Sequence, residues 1–387
     1  MPNDKTTVFL DDLHPSQTIG ATMLEEIFDE EEISAKATTK SAGKSTIALG
    51  VSQLRKINQE HERFSYDAEL GEGAYGKVWK AKDVDIGRPV AIKSYKFGGN
   101  VGHKLLSMET DITGKIDHPG VPVLYDIKKT DDEQYHYIMK FIEGESLESI
   151  IERLRTGDEE TTRQYTFEKR ADIIIQILRV LASAHAKGII HRDIKAENIM
   201  IGRAGEAYLM DWGIAIDLKN NTGEGQLAGS PRYMSPEQAA KKALDKRSDL
   251  FSLSAVFFEL MSLQTHGPKL DDTKEILAVL PEYEPSSSDL NRFHKIQGAY
   301  PLQYKPIIQK GLRNDPNARF QSAEEMLVEI ESGVSGDIAV SCPISGMLKA
   351  FYLVEQSLVK YPIITSLTVM AIFIGAIGSL IYFGTTL

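Results

Sequence analysis

One cysteine, Cys342, is all that 387 residues contain. An internal disulfide is therefore excluded, and a reducing compartment fits best. A secretory leader is also missing from the expected place: residues 1–12 have neither a basic n-region nor a long enough apolar core. No dense basic stripe occurs, which argues against nucleic acid as a partner. Internal repeats are absent. Positive charge is scarce in one place only. Residues 1–34 carry nine acids against Lys5, a net −8, which leaves −3 of the chain's −11 for the other 353 residues. The acidity belongs to a tail, and the 42% hydrophobic content is ample for a packed core in the body.

Residues 1–62 lack sustained periodicity and mix acids with Ser and Thr, so they are expected to be largely disordered. Within them Thr22–Ile33 could form a short amphipathic helix with Met23 and Ile27 on one side. Gly43-Lys44-Ser45-Thr46 imitates a P-loop. That motif needs glycine at position 38, where Thr38 stands, and no strand precedes it.

From Phe64 the pattern changes to short strands. Phe64–Leu70 and Lys77–Lys82 flank Gly71-Glu72-Gly73-Ala74-Tyr75-Gly76, and Pro89–Tyr95 makes a third strand carrying Lys93. A dinucleotide fingerprint would follow a strand and open a helix. Here the glycines lie between two strands, as in a hairpin lid whose backbone N–H groups can approach phosphates. Val101–Ile116 has helical spacing and carries Glu109, the expected ion-pair partner of Lys93. Val121–Ile127 and Tyr135–Ile142 read as strands, and Glu143–Leu147 as a helix start. Beyond them the chain is mostly helical: Phe167–Lys187 ends at a Gly188 cap, and Asp249–Leu263 is apolar enough for burial on several sides.

Between these helices stands His191-Arg192-Asp193-Ile194-Lys195-Ala196-Glu197-Asn198, followed by Asp211-Trp212-Gly213. An acid, a lysine, an amide and a second acid suit a reaction in which a hydroxyl loses a proton while a metal holds a polyphosphate.

Taken together, these motifs resemble a eukaryotic-like serine/threonine protein kinase of the membrane-anchored bacterial type. The resemblance covers residues 64–333 and includes Ser235-Pro236-Glu237, Arg247-Ser248-Asp249 and Asp315–Phe320. It implies an α+β, bilobal fold with a β-rich N-lobe and a larger helical C-lobe. It also implies ATP and Mg²⁺ as cofactors and Ser/Thr hydroxyls of proteins as acceptors. Lys93, held by Glu109, would bind the α/β-phosphates, and Gly71, Glu72, Gly73, Ala74, Tyr75, Gly76 and Lys77 would cover them. Leu70, Val78 and Ala91 would sandwich the adenine, with Met139 guarding the back of its pocket. Asp193 would orient the acceptor hydroxyl, Lys195 would sit against the γ-phosphate, and Asn198 and Asp211 would hold Mg²⁺. Arg319 would pair with Glu237.

Three positions depart from the family pattern. Trp212 replaces a Phe, Ala196 a proline, and Ser230 a threonine; none removes a charge the chemistry needs. That weighs against the alternative of a nucleotide-binding pseudokinase scaffold, and Ser-Pro-Glu weighs against a small-molecule kinase. Arg192 beside the acid suggests control by a phosphate in the activation segment. Thr222, the one hydroxyl between Asp211 and Gly229, is the expected autophosphorylation site, with Ser230 second.

Finally, Ile363–Phe383 is 21 residues without a charge, about 31 Å as a helix and enough to span a bilayer. Lys349 and Lys360 precede it, which favours a C-terminal anchor with the kinase domain in the cytoplasm. Ala371, Gly375 and Ser379 form a small-residue stripe; a homodimer face and the ordinary composition of a membrane span both remain open for it. The expected organisation is an acidic segment (1–62), a kinase domain (63–333), a juxtamembrane linker (334–361) and a transmembrane helix (362–384).

Overall fold

The computed structural model describes residues 62–73, 76–96, 99–130, 134–268, 270, 272–283 and 294–335. The acidic segment up to residue 61, the loop-tip residues Ala74 and Tyr75, and residues 336–387 lie outside them. So do Cys342, nearly all of the linker and the apolar run 363–383.

β1 (Phe64–Glu72), β2 (Gly76–Asp83), β3 (Arg88–Tyr95), β4 (Leu124–Lys129) and β5 (Tyr135–Lys140) form one antiparallel sheet in the order β1-β2-β3-β5-β4. β3 is central, and its run Val90–Lys93 is buried, as a strand covered on both faces requires. The two-residue period sorts its side chains. Val90 and Ile92 join Phe64, Ala81 and Ile138 in one apolar cluster. Ala91 and Tyr95 join Tyr137, Met139, Leu105 and Leu106 in another. The second cluster packs the sheet on α1 (Gly99–Thr113), which brings Glu109 to the face that carries Lys93.

The sequence places a helix start at Glu143–Leu147. The structure instead inserts a short strand, β6 (Gly144–Ser146), before α2 (Leu147–Thr156). β6 pairs with β8 (Ile199–Gly202) so closely that a Cβ on Gly144 would stand 1.9 Å from the Ile201 carbonyl oxygen. Strand pairing therefore takes Gly144–Ser146, and Ser146 caps the helix by accepting from the Ser149 amide.

The larger part is built on α4 (Phe167–Ala186), which follows the short α3 (Glu159–Gln164), and on α6 (Lys246–Ser262), which follows α5 (Pro236–Ala239). Every residue of α6 from Ser248 to Ser262 is buried, as apolar residues on all its sides demand. α7 (Thr273–Val279), α8 (Lys305–Gly311) and α9 (Ala323–Ser335) complete this lobe. α8 approaches α6 through Gly311, where a Cβ would fall 1.9 Å from the Ser254 hydroxyl. The chain between α4 and α5 holds β7 (Ile189–Ile190), β8, β9 (Ala207–Leu209) and β10 (Ile216–Asp217). β7 pairs with β10 and β8 with β9, which fixes the two loops that carry the chemistry. Fold and lobe organisation match the sequence reading. Among the described residues no helix is long and apolar enough to cross a membrane.

Candidate active site

The sheet register fixes one side of the site. Gly71 stands opposite Val78, Val78 opposite Lys93, and Lys93 opposite Tyr137, so one row crosses four strands. Lys93 Nζ reaches Glu109 Oε2 at 2.9 Å and Oε1 at 3.1 Å, and Asp211 Oδ1 at 2.8 Å. Burial alone would push this ammonium down, but the carboxylates of Asp211 and Glu109 hold it well above the ordinary lysine value. Burial likewise works to raise Asp211, yet Lys93 beside it keeps its carboxyl below the usual range. Tyr95 donates its hydroxyl to Glu109 Oε2. Burial and the Glu109 charge push that phenol well above its ordinary value, so it stays a donor.

The other side is the loop after β7. A short strand fixes Ile190, and a single buried acid fixes the two residues after it. Asp249 on α6 accepts from the His191 amide at 2.9 Å, from the Arg192 amide at 3.0 Å and from His185 Nε2 at 2.8 Å. Burial pushes the Asp249 carboxyl up, and these hydrogen bonds bring it below its ordinary value. The clasp sustains a left-handed backbone at Arg192, φ 70°, an unfavourable region for a bulky side chain.

That turn delivers Asp193. Asn198 Nδ2 donates to the Asp193 carbonyl at 2.8 Å and to its Oδ2 at 3.0 Å, and Ser230 Oγ donates to Oδ1 at 2.7 Å. Lys195 Nζ lies 3.7 Å from Oδ2. A carboxylate that takes a serine hydroxyl at hydrogen-bond distance, with an ammonium close by, has the geometry of a group that orients an acceptor hydroxyl. The site's second aspartate, Asp211, opens the triplet and also has a left-handed backbone, φ 55°. Trp212 is buried beneath it, donates to the Leu209 carbonyl at 3.1 Å, and packs edge-on against His191 at 4.6 Å between ring centroids. The tryptophan thus fills the aromatic position and ties the triplet to the catalytic loop.

A nucleotide and a divalent metal fit these residues. Gly71 has nothing within 4 Å of a built Cβ, and Gly73 only the Gly76 carbonyl at 4.0 Å, so space for a close backbone approach exists there. Gly76 differs: its Cβ would lie 2.1 Å from the Ser94 carbonyl oxygen, so β3 demands that glycine. The carboxylate of Asp211 and the amide oxygen of Asn198 are a hard, two-oxygen donor set. That suits Mg²⁺, which takes one or two protein ligands and completes its shell with phosphate and water. Among the described residues no cluster of three His, Cys, Asp or Glu forms a separate metal cage.

The structure thus brings together Lys93, Glu109, Asp193, Lys195, Asn198 and Asp211. Ala91 and Met139 share one apolar cluster with Val78 at its edge, while Leu70 stands half-exposed. Glu72 and Lys77 form an ion pair at 3.3 Å on the sheet's rim. Ala74 and Tyr75 lie outside the described residues. Thr222 is exposed, whereas Ser230 is buried against Asp193. Arg192, expected to face a phosphate, donates to Gln226 Oε1 at 3.2 Å. Sequence reasoning missed Tyr95, although two residues beyond Lys93 on a strand already puts it on the same face. It also missed Gln238, whose capping spacing, Ser235-x-x-Gln238, was readable.

Comparison with known proteins agrees with this geometry. Residues 64–329 match the family described as "Protein kinase domain". The chain is 30% identical over 274 residues to serine/threonine-protein kinase PrkC of Bacillus subtilis, covering 69% of this chain and 40% of that protein. It is 28% identical over 296 residues to serine/threonine-protein kinase PknD of Protochlamydia amoebophila, covering 69% of this chain and 29% of the relative. The PknD of Chlamydia pneumoniae is 27% identical over 301 residues, covering 71% and 31%. The chain therefore spans well under half the length of these relatives.

Proposed function

The chain belongs to the protein kinase family, and from that premise we propose that it is an ATP- and Mg²⁺-dependent serine/threonine protein kinase that phosphorylates other proteins and itself. One observation carries the proposal. Asp193 takes a serine hydroxyl at 2.7 Å, while Lys93 bridges Glu109 and Asp211 at 2.9 and 2.8 Å, so every charged group the transfer needs is assembled. The relatives' names specify the same acceptor class for those proteins.

The residues divide the work. Asp193 aligns the acceptor hydroxyl and takes its proton as the new P–O bond forms and the bond from the γ-phosphorus to the bridging oxygen breaks, with ADP leaving. Lys195, 3.7 Å from that carboxylate, supplies positive charge beside the transferred group. Glu109 and Tyr95 aim the Lys93 ammonium at the phosphates. Asn198 and Asp211 would hold Mg²⁺, which when bound neutralises developing phosphate charge.

The membrane reading is part of the same proposal. Residues 363–383 anchor the chain, and the kinase domain faces the cytoplasm. The uncharged run and the lysines before it support this.

Labelled ATP with Mg²⁺ and a generic protein acceptor tests the activity, comparing the chain with Asp193→Asn. Incorporation by the wild type and a loss of at least about a hundredfold in the variant are expected. Equal labelling in both dismisses Asp193, and nucleotide binding with no labelling in either favours the scaffold. Peptide mapping after ATP incubation should find phosphate on Thr222. An active enzyme with unmodified Thr222 removes that assignment. Extraction of membranes with alkaline carbonate should retain the full chain and release a form ending at residue 361.

A further inference from the structure

Arg192 is held at both ends by the stretch that runs from Asp211 to Gln238. Its side chain is 2% exposed, and its Nη1 donates to Gln226 Oε1 at 3.2 Å and to the Ile214 carbonyl at 3.5 Å. Its carbonyl accepts from Gln238 Nε2 at 2.8 Å, and the same nitrogen donates to the Ala228 carbonyl at 3.1 Å. Gly229, at φ 115°, passes so close that a Cβ there would lie 2.6 Å from the Arg192 carbonyl oxygen. The next residue along the loop is Asp193, and the next along the segment is Ser230, joined to each other at 2.7 Å. Two glutamines, one arginine and one aspartate thus form a continuous path from the segment to the catalytic carboxylate.

A buried guanidinium requires acceptors. Here one acceptor is a neutral side-chain amide supplied by the segment itself. Thr222 contributes to the segment's order only through its backbone: its carbonyl accepts from the Leu244 amide at 2.8 Å, while its side chain is exposed. Gly225 is tied to the Lys241 carbonyl at 2.9 Å and Gln226 to the Gly223 carbonyl at 3.2 Å, so main-chain hydrogen bonds fix the loop around Gln226.

We infer that Gln226 is a positioning residue. Its amide oxygen gives Arg192 the acceptor that a phosphate in this segment would otherwise supply, and the segment is set against Asp193 without modification of Thr222. Phosphate on Thr222 is then a product of activity and not its precondition. The inference rests on the kinase reading above.

The test uses the full chain in detergent, treated with phosphatase until its intact mass shows no phosphate. Initial rates and hydrogen exchange are measured on the same samples. The stripped wild type and Thr222→Ala should keep initial rates within about twofold of the untreated chain. Gln226→Leu should lower kcat about tenfold, the effect of one lost hydrogen bond to a charged group. Its KM for ATP should stay unchanged, and exchange of the amides from Thr222 to Ser230 should rise. Gln226→Glu restores an acceptor and should recover both kcat and protection. A tenfold loss on phosphatase treatment or in Thr222→Ala overturns the inference. So does a Gln226→Leu chain that is protected like the wild type, or a Gln226→Glu chain no better than the leucine variant. Exchange needs no turnover, so an inactive wild type refutes the kinase reading while the exchange comparison still decides the role of Gln226.

Discussion

Glu237 and Arg319 stand 82 positions apart and meet through two parallel hydrogen bonds, Nη1 to Oε1 at 2.7 Å and Nη2 to Oε2 at 2.8 Å. Arg319 is 2% exposed and also donates to the carbonyls of Arg313 and Asn314 at 2.6 and 2.8 Å. The pair locks the base of the segment that carries Gln226 and Ser230 onto the C-terminal helices.

Removing one partner from such a pair leaves the other charge buried and uncompensated. Arg319→Ala should therefore destabilise the fold by about 3–5 kcal/mol in chemical denaturation. Arg319→Lys should recover little, because an ammonium cannot match the two-pronged geometry. A loss under about 1 kcal/mol for the alanine variant would remove the lock from the account. The pair also carries a pH signature. Burial would raise Glu237, but Arg319 and Ser248 lower it below its ordinary value. The stability it adds is complete above the unfolded carboxylate pKa and fades as pH falls through the lowered one. Wild type and Glu237→Gln should therefore converge in acid.

Lys93 separates two acids, the buried Glu109 and the partly exposed Asp211. Lys93→Met should cut kcat by at least about a hundredfold and cost about 3 kcal/mol of stability at pH 8. At pH 5 the penalty should be smaller, because one unpaired carboxyl takes up a proton. Denaturation curves at the two pH values check this, and an equal loss at both contradicts the electrostatic explanation.

Glu197 follows the opposite sign. Burial drives its carboxyl up to about 7, only partly opposed by Lys195, and its buried Oε2 has no hydrogen-bond partner among the described residues. Its folded pKa exceeds the unfolded one, so the fold loses stability as pH rises from about 4.5 towards 7. Glu197→Gln should match the wild type near pH 5 and exceed it near pH 8, by at most about 3 kcal/mol. Melting temperatures across that range test it; a constant offset would mean that packing, not charge, governs the site.

Trp212→Phe keeps the ring against His191 and removes the donor to the Leu209 carbonyl. The expected cost is about 1 kcal/mol of stability, with kcat within about threefold of wild type. A hundredfold loss of activity would show that the indole N–H positions the triplet Asp211-Trp212-Gly213.

The residues that the structure brings together at the candidate site were legible because they lie in short runs. Lys93 on a strand between glycine turns, Asp193 to Asn198 in one loop, and Asp211 before an aromatic each carry identity and spacing together. Periodicity also settled the all-round burial of α6 and the strand positions of β1, β2 and β3. It failed at Gly144–Ser146, where helix-like spacing lost to pairing with a strand 55 residues later. Local pattern contains no information about that partner.

What the sequence determined alone is the inventory: which acids, amides and lysines are present, in what order, and on which elements. Tertiary structure decided which of them meet. Asp249 clasps two backbone amides of the catalytic loop from a helix more than fifty residues away, and Tyr95 joins Glu109 across the face of the sheet. Most of all, a side-chain partner of Arg192 is Gln226. From the sequence a guanidinium beside the catalytic acid called for a phosphate. Only the packed chain shows that an amide of ordinary appearance supplies an acceptor. A hydrogen bond depends on where two atoms lie in space, and composition and spacing along the chain do not fix that.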